Sequence, residues 1–155
     1  MKQLYTLFFT FLSVLSVNAQ DNFNLALINN TIIPEDGSDI LGWVDGNGTE
    51  YAIMGGRSNT WIWSLEDPAN PIQRAQIPGD ASIWRDIKSW EDHVYVTTDS
   101  GDDGLLIIDM SMAPDSISSH YITPDIIARG DTTALGPCHN LYIDEKGFCY
   151  LAGCR

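Results

Sequence analysis

Arg85-Asp86-Ile87-Lys88-Ser89-Trp90, Glu91-Asp92-His93, Val94-Tyr95-Val96-Thr97-Thr98, Asp99 to Gly104, and Leu105-Leu106-Ile107-Ile108-Asp109 follow one another without interruption. Runs of about five β-branched, aromatic and aliphatic residues between Asp, Gly and Ser clusters read as strands. The short acidic turns between them leave no room for a crossover, so the stretch predicts an antiparallel meander.

The meander recurs. Upstream, Asp39-Ile40 with Trp43 answers Asp86-Ile87 with Trp90, Tyr51-Ala52-Ile53-Met54 answers Val94 to Thr97, and Thr60 to Leu65 answers Leu105 to Met110. Downstream, His139-Asn140-Leu141-Tyr142-Ile143 opens a third copy and Phe148-Cys149-Tyr150-Leu151 supplies its second strand. Self-similarity at about 40 to 50 residues with roughly four strands per copy predicts an all-β fold, a β-propeller of four-stranded antiparallel blades. The blades are expected at 38–81 and 82–121, with an irregular connection at 122–137 and the start of a third blade at 138–155. A propeller closes with about four to eight blades, so two and a half predict the N-terminal piece of a longer protein.

Residues 1–19 are expected to be a signal peptide. Lys2 gives a positive start, Leu4 to Val17 an apolar core, and Val17-Asn18-Ala19 a small-residue cleavage site before Gln20. The apolar run falls short of the roughly 20 residues that span a bilayer, so no transmembrane segment is expected in the exported chain. Residues 20–37 form an N-terminal linker in which Leu25-Ala26-Leu27-Ile28 reads as a strand.

The formal net charge is −13, from 21 acidic and 8 basic residues. Such a surface repels nucleic acid and anionic lipid and favours solubility or cation binding. Nucleic-acid function is therefore set aside.

Cys138 and Cys154 bracket a hairpin expected to turn at Asp144-Glu145-Lys146-Gly147. With Asp144 opposite Phe148, the two cysteines fall opposite each other, which in an oxidising compartment permits a disulfide; two buried thiols fit the sequence as well. Cys149 is left over and reads as a small buried hydrophobe.

Taken together, Asp39-Ile40-Leu41-Gly42-Trp43, Glu66-Asp67-Pro68-Ala69-Asn70-Pro71, Trp84-Arg85-Asp86-Ile87-Lys88, Asp103-Gly104-Leu105-Leu106-Ile107-Ile108-Asp109 and Cys138-His139-Asn140 resemble the choice-of-anchor B proteins, bacterial exported propellers with LVIVD-type repeats. The resemblance covers nearly all of 38–155. It implies a secreted or cell-surface propeller, with an anchoring or sorting signal at the C-terminus.

The repeat places Asp39, Arg85, Asp86, His139 and Asn140 at equivalent positions near the start of each inner strand. Inner strands line a propeller's channel, so these side chains are the candidate ligand-binding ring. Asp39, Asp86 and His139 are the candidate metal ligands; their oxygens suit a divalent cation such as Ca²⁺ or Mn²⁺, and the imidazole widens the choice to Zn²⁺. Against this stands a structural reading, in which repeated Asp residues accept backbone N–H groups and Asp86 pairs with Arg85. The acidic stretch Asp99 to Gly104 lacks the spacing of a calcium loop and reads as a solvated turn. The five tryptophans are expected mostly in the core.

No nucleophile elbow, papain-like pair or phosphate loop is present, so no catalytic residue is assigned. The expected function is a binding, adhesion or interaction scaffold for an envelope protein or glycan. The alternative is a metal-dependent hydrolase or oxidoreductase at the channel mouth. A closed full-length propeller is expected to be monomeric.

Overall fold

The computed structural model describes residues 25–128 and 130–155; the expected signal peptide and its cleavage point lie outside them. The chain is all-β, with no helix among the described residues. Two four-stranded antiparallel sheets follow one another in simple meander order. The first holds β1 (Gly37–Val44), β2 (Glu50–Gly56), β3 (Asn59–Ser64) and β4 (Ile72–Pro78). The second holds β5 (Arg85–Trp90), β6 (His93–Thr98), β7 (Leu105–Asp109) and β8 (Ser118–Ile122).

Two hairpins complete the chain, β9 (Asp125–Ala128) with β10 (Asp131–Ala134), and β11 (Asn140–Ile143) with β12 (Cys149–Ala152). The connection at 122–137, expected to be irregular, thus contains a hairpin of its own. Conversely, Leu25 to Ile28 is not a strand. It lies across the face of the first sheet, where Asn29 Nδ2 donates to the Ala69 carbonyl at 2.9 Å; away from a sheet edge, a strand has no ladder to join.

Alternation along the strands sets which face packs where. Tyr51 and Ile53 on β2 and Ile62 on β3 meet Ile87, Val94, Val96, Leu106 and Ile108 of the second sheet in the main core. Tyr95 and Ile107 point to the opposite face of the second sheet and pack with Leu105, Leu135, Cys138 and Leu151 in a smaller core beneath the hairpins. Strand β5 lies between β1 and β11, so the first strand of each repeat stands beside the first strand of the next.

The first and third repeats share a turn device. In Asp45-Gly46-Asn47-Gly48-Thr49-Glu50-Tyr51, Asp45 Oδ1 accepts the N–H groups of Asn47 and Thr49, each at 2.9 Å, and Oδ2 accepts the Tyr51 hydroxyl at 3.3 Å. In Asp144-Glu145-Lys146-Gly147-Phe148-Cys149-Tyr150, Asp144 accepts from Lys146 N at 2.9 Å, Phe148 N at 3.0 Å and the Tyr150 hydroxyl at 3.0 Å. Gly48 and Gly147 hold φ of 87° and 80°, the left-handed conformation that glycine adopts without steric cost. For both carboxyls loss of hydration works upward, and the donated hydrogen bonds outweigh it, leaving them below the ordinary carboxylate range.

The last hairpin pairs Asn140 with Ala152, Leu141 with Leu151, Tyr142 with Tyr150 and Ile143 with Cys149. Just beyond this ladder Cys138 and Cys154 are joined by a disulfide. Cys149, expected buried, is exposed, because β12 is an edge strand with nothing beyond it among the described residues.

Glu35 ties the approach segment to the first sheet. Its carboxylate accepts the Trp61 indole N–H at 2.6 Å, the Ser58 N–H at 2.6 Å and the Asn59 amide at 3.0 Å. Partial burial acts to raise this carboxyl, but these donors and nearby Arg85 hold it below the usual glutamate value. Its stabilisation is therefore complete above the unfolded glutamate range and is lost as pH falls through the lower folded value. Glu35→Gln is expected to cost about 1 kcal/mol at neutral pH, below the roughly 1.5–3 kcal/mol usual for bonds to a charged group because the carboxylate keeps contact with water. Urea unfolding across acidic pH should show a shallower fall in the variant than in the wild type.

Candidate functional site

All five candidate residues line one open pocket of about 450 Å³, together with Gly37, Ser38, Ile83 and Trp84. The repeat brings them there because each lies within the first three residues of its unit's first strand or, for His139, directly precedes it. Their roles nevertheless divide sharply.

Asp39 and Asp86 act between repeats. Asp39 Oδ2 accepts the N–H of Ile87 at 3.0 Å, and Asp86 Oδ2 accepts the N–H of Leu141 at 2.7 Å. Each carboxylate thus receives the backbone of the next unit one residue after that unit's own Asp or Asn. Lys88 sits between them, its Nζ 3.8 Å from Asp39 Oδ2 and in direct ion-paired contact with Asp86 Oδ1. The Asp86-x-Lys88 spacing puts both side chains on one face of β5. The expected pairing of Asp86 with Arg85 is therefore made with Lys88 instead, since adjacent residues on a strand point to opposite faces.

Arg85 is buried at 2% exposure and its donors are spent on main-chain carbonyls. Nε donates to Gly56 O at 2.7 Å, and Nη2 to Asp80 O at 2.6 Å and Arg57 O at 3.3 Å. Its backbone is held by Ser38, whose Oγ accepts the Arg85 N–H at 2.8 Å and donates to its carbonyl at 3.2 Å. A Cβ on Gly55 would stand 2.8 Å from the Arg85 Cβ, so glycine there lets the second unit approach. Arg85 is a clamp between sheets.

His139 and Asn140 differ, both being exposed. The His139 side chain is 61% exposed, with Nδ1 3.6 Å from Asp99 Oδ2, beyond direct hydrogen-bond range. Trp84, 54% exposed, meets its ring edge to face with centroids 6.4 Å apart. Asp99 also accepts the Ser82 hydroxyl at 2.8 Å. Here the carboxylate lies between serine and histidine, whereas a hydrolytic triad needs the imidazole in the middle, and Ser82 is buried. The constellation does not activate a nucleophile.

Among the described residues no three His, Cys, Asp or Glu side chains gather closely enough to hold a metal ion. Asp39, Asp86 and His139 share the pocket wall without converging, and the Lys88 ammonium is paired with Asp86 and lies 3.8 Å from Asp39 Oδ2. The acidic loop is tied down as a turn: Asp80 Oδ2 accepts the Asp102 N–H at 2.8 Å, and Asp103 accepts the N–H of Asp80.

Sequence reasoning missed Lys88 and Trp84. The i, i+2 relation to Asp86 was the available signal for Lys88; nothing in the alternation marked Trp84 as the tryptophan left in solvent.

Removing the Asp86 carboxylate leaves the N–H of buried Leu141 without a partner. Asp86→Ala is expected to destabilise the chain by about 1–3 kcal/mol in chemical denaturation, with Asp86→Asn milder because its amide oxygen still accepts. Equal losses in both variants would assign the stabilisation to the Lys88 ion pair instead.

No helix among the described residues is long and apolar enough to cross a membrane. No protein-family model, curated protein or solved structure matches the chain.

Proposed function

We propose that this chain is part of an exported β-propeller of the choice-of-anchor B kind, acting at the cell envelope as a binding module whose pocket at the start of the inner strands takes a glycan. The observation that carries this reading is the division of labour around the pocket. The charged side chains are engaged in holding repeats together, while Trp84, His139 and Asn140 remain solvent-facing. An aromatic face with adjacent imidazole and amide groups suits a sugar ring, which offers an apolar face to stack and hydroxyls to pair. The metal-dependent hydrolase or oxidoreductase reading draws no support from this geometry, because Lys88 stands where the cation would be needed.

Trp84→Ala is expected to weaken binding to envelope polysaccharide about tenfold, equivalent to about 1.4 kcal/mol, measured by titration or glycan array with folding checked by circular dichroism. Unchanged binding would move the ligand site elsewhere. For export, mass spectrometry of protein recovered outside the cytoplasm should find Gln20 as the first residue; an intact Met1 terminus would refute the signal-peptide reading.

A further inference from the structure

The charged groups around the pocket are not equally available to a ligand. The cations are engaged within the chain. Arg85 is buried and donates to the carbonyls of Gly56, Arg57 and Asp80. The Lys88 ammonium is paired with Asp86 Oδ1, donates to the Ile87 carbonyl at 3.1 Å and lies 3.8 Å from Asp39 Oδ2. Arg155, outside the pocket lining, donates to the Asp99 main-chain carbonyl at 2.9 Å.

The carboxylates behind the solvent-facing groups keep acceptor capacity. An ionised carboxylate offers about four lone-pair sites. Asp39, on the pocket wall, accepts two main-chain N–H groups, from Ile40 at 2.9 Å and Ile87 at 3.0 Å, and its side chain is only partly buried. Asp99 stands beside the His139 ring. Its Oδ1 accepts the Ser82 hydroxyl at 2.8 Å, while Oδ2, 3.6 Å from His139 Nδ1, accepts no hydrogen bond among the described residues. Ser82 Oγ also accepts the Trp84 N–H at 3.2 Å, so one buried hydroxyl links the Asp99 carboxylate to the backbone that carries the exposed indole.

We propose that this pocket selects a glycan free of acid groups, with Asp99 and Asp39 as the side chains that set the choice. The proposal rests on the reading of the pocket as a sugar site and names which sugars enter it. A hydroxyl both donates and accepts, so a neutral sugar lying against Trp84 has protons to offer the carboxylate oxygens. A uronate, sulfate or ionised phosphate group has none to offer them and meets them with like charge. It also finds Arg85 and Lys88 already bound within the chain. Repulsion of this kind rejects a wrong ligand more sharply than it strengthens a right one.

The test uses the full-length exported protein and envelope polysaccharide separated by anion exchange into a neutral and a uronate-bearing fraction, with a portion of the latter reduced at its carboxyl groups to the corresponding alcohols. Titration calorimetry is run at physiological salt, where screening over about 8 Å weakens the contribution of distant surface charge. The uronate fraction is expected to bind at least about tenfold more weakly than the neutral one, and carboxyl reduction is expected to restore binding. Asp99→Asn keeps an oxygen to accept from Ser82 and removes the charge, so it is expected to narrow the gap by about threefold or more. Glu145→Gln, in the turn at the far end of β11, removes the same charge and is expected to leave the gap unchanged. A uronate fraction that binds as tightly as the neutral one, with both weakened by Trp84→Ala, would overturn the selection and leave the sugar site standing. Reduction that restores nothing, an Asp99→Asn gap equal to that of the wild type, or a gap narrowed equally by Glu145→Gln would overturn it too. Binding that no fraction shows, or that Trp84→Ala leaves unchanged, would remove the sugar site itself and this inference with it.

Discussion

The structure depends on a carboxylate that belongs to one repeat and serves the next. A β-sheet satisfies its own backbone within the ladder, but the first strand of each sheet is an edge whose outer N–H groups must find acceptors elsewhere. Asp39 and Asp86 supply them to Ile87 and Leu141, and this fixes how far apart, and in what register, successive first strands lie. The cores follow from that placement: with β5 held beside β1, Ile87 and Val96 come over Ile53 and Ile62, and with β11 held beside β5, Leu151 comes over Tyr95. Arg85 reinforces the same joint by reaching back to the carbonyls of Gly56 and Arg57.

The same joint explains why the pocket is a poor place for charge chemistry. Ionised groups near a protein surface acquire altered reactivity when they are left partly unpaired. Here the two aspartates are matched to Lys88 and to main-chain donors, and the arginine to main-chain acceptors. What faces solvent is one indole, one imidazole and one amide, groups that recognise a ligand by shape and hydrogen bonding.

Much of this was legible in the residues. The recurrence of Asp39-Ile40 as Asp86-Ile87 and Asn140-Leu141 marked the joints, and the turn at Asp144 to Gly147 gave the register in which Cys138 and Cys154 come together. The sheets were legible because antiparallel neighbours are neighbours in sequence. Matching Tyr51–Met54 with Val94–Thr97 slips by one, since Ile40 pairs with Met54 while Ile87 pairs with Val96. One residue decides which sheet face a side chain occupies, and the differing turn lengths of the two units hid it. The fate of Leu25 to Ile28 was not legible either: an alternating apolar segment becomes a strand only if an edge is offered to it. Nor was the role of the aspartates, because a side chain that caps a distant backbone N–H and one that binds a cation leave the same letter in the sequence.

The joints also have a direction. Both joint carboxylates, Asp39 and Asp86, reach forward along the chain, and each receiving N–H lies in the unit that follows, so successive units are joined through the same pair of faces. Inserting or deleting a whole unit therefore leaves matched faces on both sides of the change, whereas moving a boundary by a few residues breaks a joint. Genes encoding such chains can gain or lose repeats by unequal recombination without inventing a new interface, and the number of units becomes a trait that evolution can adjust in single steps.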